Sequence, residues 1–228
     1  MSIRFEAKTS TFTLHTQHST YQMQLDPMGH LLHLYYGRSV GDASNFDLYP
    51  AADHGFSPDY HELENVRGSY SPDVLPQEYP GANRGDFRVP AADVADAQGA
   101  RGLELIYQSH SVHAGAYTLE GLPASHGDDC ETLAIQMRDP VLGLGVQLLY
   151  GVYEQQDMIT RAVLFTNEGS QPLTLEKAAS ACLDLPFGSW DLIQFHGRHA
   201  MERQMERTRL DHDTRRVGSV RGASSHHH

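Results

Sequence analysis

The 228-residue sequence predicts an all-β chain, with antiparallel strands packed face to face as a sandwich. Three observations lead there. Apolar residues recur at every second position in several separate runs, turn chemistry punctuates those runs, and almost no segment carries the three-to-four period of a helix.

The first strand candidate places Phe12 and Leu14 on one side, with Thr11 and Thr13 on the other. A polar turn at Thr16-Gln17-His18 leads to Tyr21, Met23 and Leu25, again spaced by two. Asp26-Pro27-Met28-Gly29 is turn chemistry, and Leu31 to Tyr36 then reads as a third strand, apolar enough to be covered on both faces. The first 36 residues therefore read as a meander. Further strands are expected in Leu103 to Val112, across Leu133, Ile135 and Met137, and in Val146 to Tyr153 and Ile159 to Phe165. Asn167-Glu168-Gly169-Ser170 turns the chain into Leu173 to Leu175. Ala200 to Arg207 fits two states: Met201 and Met205 are four apart, as in a helix, while Arg203 and Arg207 equally suit a strand.

One stretch breaks the rhythm. Between Pro50 and Pro90 lie six of the eleven prolines, with Gly55, Gly68, Gly81 and Gly85 among them. Proline fixes φ and lacks an N–H, so this stretch cannot supply interior strands and is expected to run as a long extended loop. Phe56, Tyr60, Tyr70, Leu75, Tyr79 and Phe87 carry more apolar surface than a solvated linker would, which favours an ordered loop.

With 17 basic and 29 acidic residues the formal net charge is −12, and no Lys/Arg-rich run offers a local exception. Nucleic acid and anionic membrane surfaces are disfavoured as partners. No run reaches the ~18 apolar residues of a membrane span, and the amino terminus lacks the apolar core of a secretory signal. Two cysteines, Cys130 and Cys182, build no disulfide framework, so a cytoplasmic location is expected.

Fifteen histidines invite a metal hypothesis that the spacing refuses. His15 with His18, His30 with His33 and His196 with His199 are three apart, which shares a face in a helix and not in strands. No metal and no cofactor is expected. Both cysteines lie in or beside strand patterns, where a free thiol is usually a small buried hydrophobe. The carboxylates of the proline-rich loop remain: Asp53, Asp59, Glu62, Glu64, Asp73, Glu78 and Asp86, accompanied by Arg67, Arg84 and Arg88. Carboxylates, guanidinium groups and aromatic faces together suit a carbohydrate, whereas acidic residues that merely keep a loop solvated are the plainer reading for any one of them.

At this loop the chain resembles a known family. Phe56-Ser57-Pro58, Leu75-Pro76-Gln77-Glu78-Tyr79-Pro80-Gly81 and Gly85-Asp86-Phe87-Arg88 are similar to the amino-terminal part of bacterial α-galactosidases of glycoside hydrolase family 36. So are Leu122-Pro123-Ala124, Ile159-Thr160-Arg161 and Arg221-Gly222-Ala223-Ser224-Ser225-His226. The resemblance implies a galactose-mutarotase-like super-sandwich, incomplete here, as residues 1–228 of an enzyme whose (β/α)8 barrel and two catalytic aspartates lie elsewhere. It implies a retaining hydrolysis of terminal α-galactosyl residues of melibiose- or raffinose-type sugars, an α-galactoside as the partner, a homotetramer in the full-length enzyme, and no catalytic residue in this chain, which alone is expected to be inactive.

Two site residues follow from the resemblance. Asp53 matches a sugar-contacting aspartate of the long loop and is expected to accept hydrogen bonds from galactose hydroxyls. Arg67 lies near a family arginine contributed across a subunit boundary, in a loop that is longer here between Pro58 and Tyr70. Where relatives often carry a tryptophan before an Arg-Glu-Arg run, this chain reads Gly197-Arg198-His199-Ala200-Met201-Glu202-Arg203, and Trp190 is expected in the core. The competing reading is a stand-alone carbohydrate-binding or assembly module on the same sandwich, since folds host many functions.

Overall fold

The computed structural model describes residues 2–45, 72, 75–82, 86–127, 129–185 and 188–219. It is all-β, and its twelve strands among the described residues pair antiparallel. The chain divides into two compact units, Met1–Asp184 and Leu185–His228.

In the first unit, β1 (Ile3–Glu6), β2 (Thr11–His15), β3 (Ser19–Leu25) and β4 (Leu31–Arg38) form one four-stranded meander in sequence order. After β5 (Ala92–Ala95) comes a second four-stranded meander: β6 (Ile106–Ala114), β7 (Cys130–Asp139), β8 (Leu144–Tyr153) and β9 (Met158–Asn167). β10 (Thr174–Ala178) pairs with β5 as a small third sheet. The alternation read in the sequence sets the faces. Phe12, Leu14, Tyr21 and Met23 meet Leu133, Ile135, Met137, Val146, Leu148, Tyr150 and Val152 in one buried cluster, as expected of residues two apart in packed sheets. Each such Leu contributes about 2 kcal/mol of burial.

The structure settles one open reading, corrects another and adds a burial that alternation leaves open. β2 does not turn a polar face to water, because Thr11 and Thr13 are buried along with Phe12 and Leu14; a segment following β4 covers that face, where Gln22 Nε2 donates to Ala43 O and Asn45 N–H donates to Gln22 Oε1, each at 3.0 Å. Ala200 to Arg207 is strand: β11 (Trp190–Arg198) and β12 (Met201–Leu210) form a hairpin in the second unit. Trp190 is 40% exposed there rather than in the core.

The β3–β4 turn of the first unit is clipped by charge. Asp26 Oδ1 accepts from the backbone N–H groups of Met28 and His30 (2.8 Å each), which closes the β3–β4 turn. Gly29 sits in that turn at φ +86°, a left-handed value open to glycine, and its carbonyl accepts from Tyr107 N–H of the other sheet at 2.9 Å. His30 is buried between two carboxylates, with Nδ1 3.2 Å from Asp26 Oδ2 and Nε2 3.2 Å from Glu104 Oε1. Both ring nitrogens donate only when the imidazole is protonated. Burial alone would depress its pKa, but the hydrogen bonds and charges of Asp26 and Glu104 outweigh it and lift the group to about 9.

A raised folded pKa stabilises below the unfolded value and loses that stabilisation as the pH climbs through the folded one. The His30 contribution is therefore full below pH ~6.5 and lost by about pH 9, at most about 3 kcal/mol. Urea unfolding at the two pH values should show the wild-type chain losing more stability than His30→Gln; parallel curves would contradict the clip.

Candidate functional site

The described part of the proline-rich stretch is not an outlying loop. Leu75 to Ala82 lies along β4: His33 N–H donates to Pro76 O at 2.7 Å and Glu78 N–H to Leu31 O at 2.8 Å. Farther along, Ala91 N–H donates to Pro80 O (2.7 Å) and Leu103 N–H to Ala82 O (2.9 Å). The prolines thus occupy positions where the segment is asked for a carbonyl, so their missing N–H costs nothing. Gly81 passes so close to the neighbouring backbone that a Cβ there would lie 2.2 Å from Leu103 O.

Alternate side chains of this segment point to opposite sides. Glu78 is fully buried. Its Oε1 accepts from the Tyr150 hydroxyl at 2.7 Å and lies 2.6 Å from Arg161 Nη2, while the Tyr21 hydroxyl is 2.7 Å from both carboxylate oxygens. His33 Nδ1 is 3.2 Å from Glu78 Oε2, near enough for attraction but misaligned for a hydrogen bond. Arg161, from β9, also donates to the Tyr21 hydroxyl (3.1 Å) and to Cys182 O (3.2 Å), and its guanidinium lies over the Tyr150 ring. Burial first, and the Glu78 charge second, push the Tyr21 and Tyr150 phenols upward, so both remain donors. For Arg161 burial works against the charge, but Glu78 and the two tyrosines more than compensate and the guanidinium pKa rises.

On the other side, Gln77 Nε2 donates to Asp86 Oδ2 at 2.8 Å. Arg88 binds Asp86 through Nε (3.0 Å) and Nη2 (2.9 Å), Asp184 through Nη1 (3.1 Å), and the carbonyls of Pro72 (3.2 Å) and Leu75 through Nη2. One guanidinium therefore ties together Pro72, Leu75, Asp86 and Asp184.

This arrangement corrects the reading of two loop carboxylates. Glu78 and Asp86 neither solvate the loop nor face a ligand; they are 0% and 5% exposed and committed to internal partners. Asp53, Arg67, Asp59, Glu62, Glu64, Asp73 and Arg84 lie outside the described residues. The residues that sequence reasoning missed are Gln22, Tyr21, Tyr150 and the partnership of Arg161. A lone arginine inside the apolar run Ile159 to Phe165 was the available signal for the last.

Among the described residues no group of three or more His, Cys, Asp or Glu is placed to hold a metal. His15 and His18 diverge, to Asp42 (2.6 Å) and Asp157 (2.5 Å). Burial raises the pKa of both thiols. A cleft of about 110 Å³ outside β8 and β9, lined by Tyr117, Ser125, Tyr153, Thr160 and Arg161 among others, has no carboxylate in its wall. It lacks the acid pair that glycoside hydrolysis uses.

Removing the charge of Glu78 strands a buried guanidinium. Glu78→Gln should destabilise the chain by about 3–5 kcal/mol, whereas the double variant Glu78→Met/Arg161→Met should lose clearly less than the sum of its two single variants. Additive losses in urea unfolding would show that the two groups act independently.

The sequence of the glycosyl hydrolase family 36 N-terminal domain matches residues 29–228. The chain is 46% identical over 228 residues to the bifunctional alpha-galactosidase/sucrose kinase AgaSK of Mediterraneibacter gnavus, covering 99% of this chain and 24% of that protein. It is 37% identical over 229 residues to alpha-galactosidase AgaA of Geobacillus stearothermophilus, covering 99% and 31%. Solved structures agree: the galactosidase domain of AgaSK superposes with a TM-score of 0.91 at 44% identity, covering 99% of this chain and 31% of that one. The alpha-galactosidase AgaB of Geobacillus stearothermophilus gives 0.88 at 36%, covering 100% and 31%. The chain thus spans about a quarter to a third of the length of these relatives. A match of this extent in both sequence and fold identifies the chain as a member of glycoside hydrolase family 36, in the part that forms the family's N-terminal domain.

Proposed function

We propose that this chain is the leading domain of an α-galactosidase that releases terminal α-galactosyl residues from melibiose- or raffinose-type sugars with retention. The observation that carries the reading is the near-complete alignment of the chain with proteins named as α-galactosidases; one of the similar solved structures, a variant of AgaA, is described as a complex with raffinose. A retaining mechanism uses two carboxylates roughly 5 Å apart, one as nucleophile and one as acid then base, with neither metal nor organic cofactor. On this reading both belong to the remainder of the polypeptide.

The role of this domain is at the edge of the sugar site. Asp53 accepts from galactose hydroxyls, and Arg67 donates to the same sugar or to the boundary of a neighbouring subunit in a homotetramer. The net charge of −12 supports a small neutral substrate over a polyanion, and a cytoplasmic enzyme fits a chain whose two cysteines are both free.

In the full-length enzyme, Asp53→Ala should lower kcat/KM for raffinose and for an aryl α-galactoside by about 1–3 kcal/mol of transition-state binding, roughly 5- to 150-fold. The 228-residue chain by itself should show no turnover. Wild-type kinetics in the variant would remove Asp53 from the site, and turnover by the isolated chain would overturn the division of labour.

A further inference from the structure

The string Gly85-Asp86-Phe87-Arg88 helped to carry the family resemblance, and the functional reading gives Phe87 no task. Phe87 is 79% exposed, and Val89, two positions on, is 71% exposed. The residues between and beside them turn the other way. Asp86 is buried and accepts from Gln77, Arg88 reaches inward to Asp86 and to the carbonyls of Pro72 and Leu75, and Ala91 is again buried. From Asp86 to Val89 the polar side chains therefore face in and the apolar ones face out, the reverse of the usual order in a half-buried extended segment.

A second segment repeats the arrangement. Cys182 packs against the core and its carbonyl accepts from Arg161 at 3.2 Å, Asp184 binds Arg88 Nη1 at 3.1 Å, and Leu183 between them is 41% exposed. The Arg88–Asp184 bond thus joins two segments that each turn apolar side chains outward. Both are pinned from behind by directional bonds, so these side chains stand on a fixed base. Single apolar residues on a surface need no account, whereas a fixed apolar ledge marks a surface that another surface covers.

The size of the ledge limits what covers it. A free second copy needs roughly 800 Å² on each partner, about 20–30 residues, and the three side chains named here supply only a fraction of that. Domains of one polypeptide can use a smaller contact, because the connection between them keeps the second surface close by. The chain spans 24% and 31% of the length of its similar α-galactosidases, and in the solved galactosidase domain of AgaSK the same fold is 31% of the chain. We propose that the ledge of Phe87, Val89 and Leu183 is the surface on which the remaining polypeptide of the same enzyme docks, with an apolar recess of that polypeptide receiving the Phe87 ring. This rests on the reading above, in which the chain leads a longer enzyme.

The test uses the full-length enzyme and its thermal unfolding. Phe87→Gln and the nearly isosteric Val89→Thr add a polar group where this chain by itself meets water, and substitutions at such places are ordinarily close to neutral. With the ledge covered, Phe87→Gln should lower the unfolding temperature by roughly 3 °C or more and Val89→Thr by less, while Phe87→Leu should recover most of the loss. Val141→Gln, at a residue 90% exposed on the turn between β7 and β8, should change nothing. If Phe87→Gln gives no folded enzyme, Phe87→Ala is compared with Phe87→Leu in the same way.

A Phe87→Gln variant as silent as Val141→Gln, or an equal loss in both, would overturn the docking surface. So would a Phe87→Gln variant that splits an oligomer into subunits of unchanged unfolding temperature, since the covering surface would then be a second copy. Turnover separates this proposal from the reading beneath it. A wild-type full-length enzyme that releases no galactose removes the substrate reading, and the thermal comparison still decides the ledge. Normal turnover beside a silent Phe87→Gln keeps the substrate reading and removes the ledge.

Discussion

A buried carboxylate that must find a cation is the constraint from which the rest of this domain can be argued. Glu78 has no water to solvate it, and an isolated charge in such a place is too costly to keep. Arg161 meets it from β9, and the hydroxyls of Tyr21 and Tyr150, from β3 and β8, fill the remaining acceptor sites. Three strands from the two sheets thus converge on one residue of a segment that belongs to neither. Ion pairs of this kind add little net stability over an apolar core, because desolvation takes back much of what attraction supplies. What they supply is uniqueness: Leu75 to Gly81 has one place to lie.

That placement matters because of what the segment adjoins. Arg88 couples it to Asp86 and Asp184 while holding the carbonyl of Pro72, and Gln22 of β3 holds Asn45. Three polar groups, Glu78, Arg88 and Gln22, therefore hold Leu75 to Gly81, Pro72 and Asn45 in place. A core built of leucines would tolerate small shifts at such points; a set of directional bonds does not. Accuracy of this order is what a domain needs if it is to add contacts to a sugar site assembled mainly by other polypeptide.

The sandwich itself was legible in the sequence because period-two alternation is a direct image of the pleat. Leu133, Ile135 and Met137 face the core as their spacing says. The same logic placed Thr11 and Thr13 opposite Phe12 and Leu14 but could not say that they are buried too: alternation reports which face is apolar, whereas a polar face is buried when another segment supplies partners, and that is a tertiary fact. Trp190 misled, since the size and hydrophobicity of a side chain do not by themselves place it in a core. At the site, the string Leu75 to Gly81 and the Ile159-Thr160-Arg161 motif carried the family resemblance, yet neither announced that Glu78 and Arg161 are partners 83 positions apart. Pairings at that separation leave no local trace. Asp53 and Arg67 rest on the resemblance alone.

The most direct measurement is a crystal structure of the full-length enzyme with raffinose bound. The account predicts the Asp53 carboxylate within hydrogen-bond distance of a galactosyl hydroxyl, with Gln22 still joined to Ala43 and Asn45 and Arg88 to Pro72. A sugar site completed without any residue between Asn45 and Pro72 would contradict it.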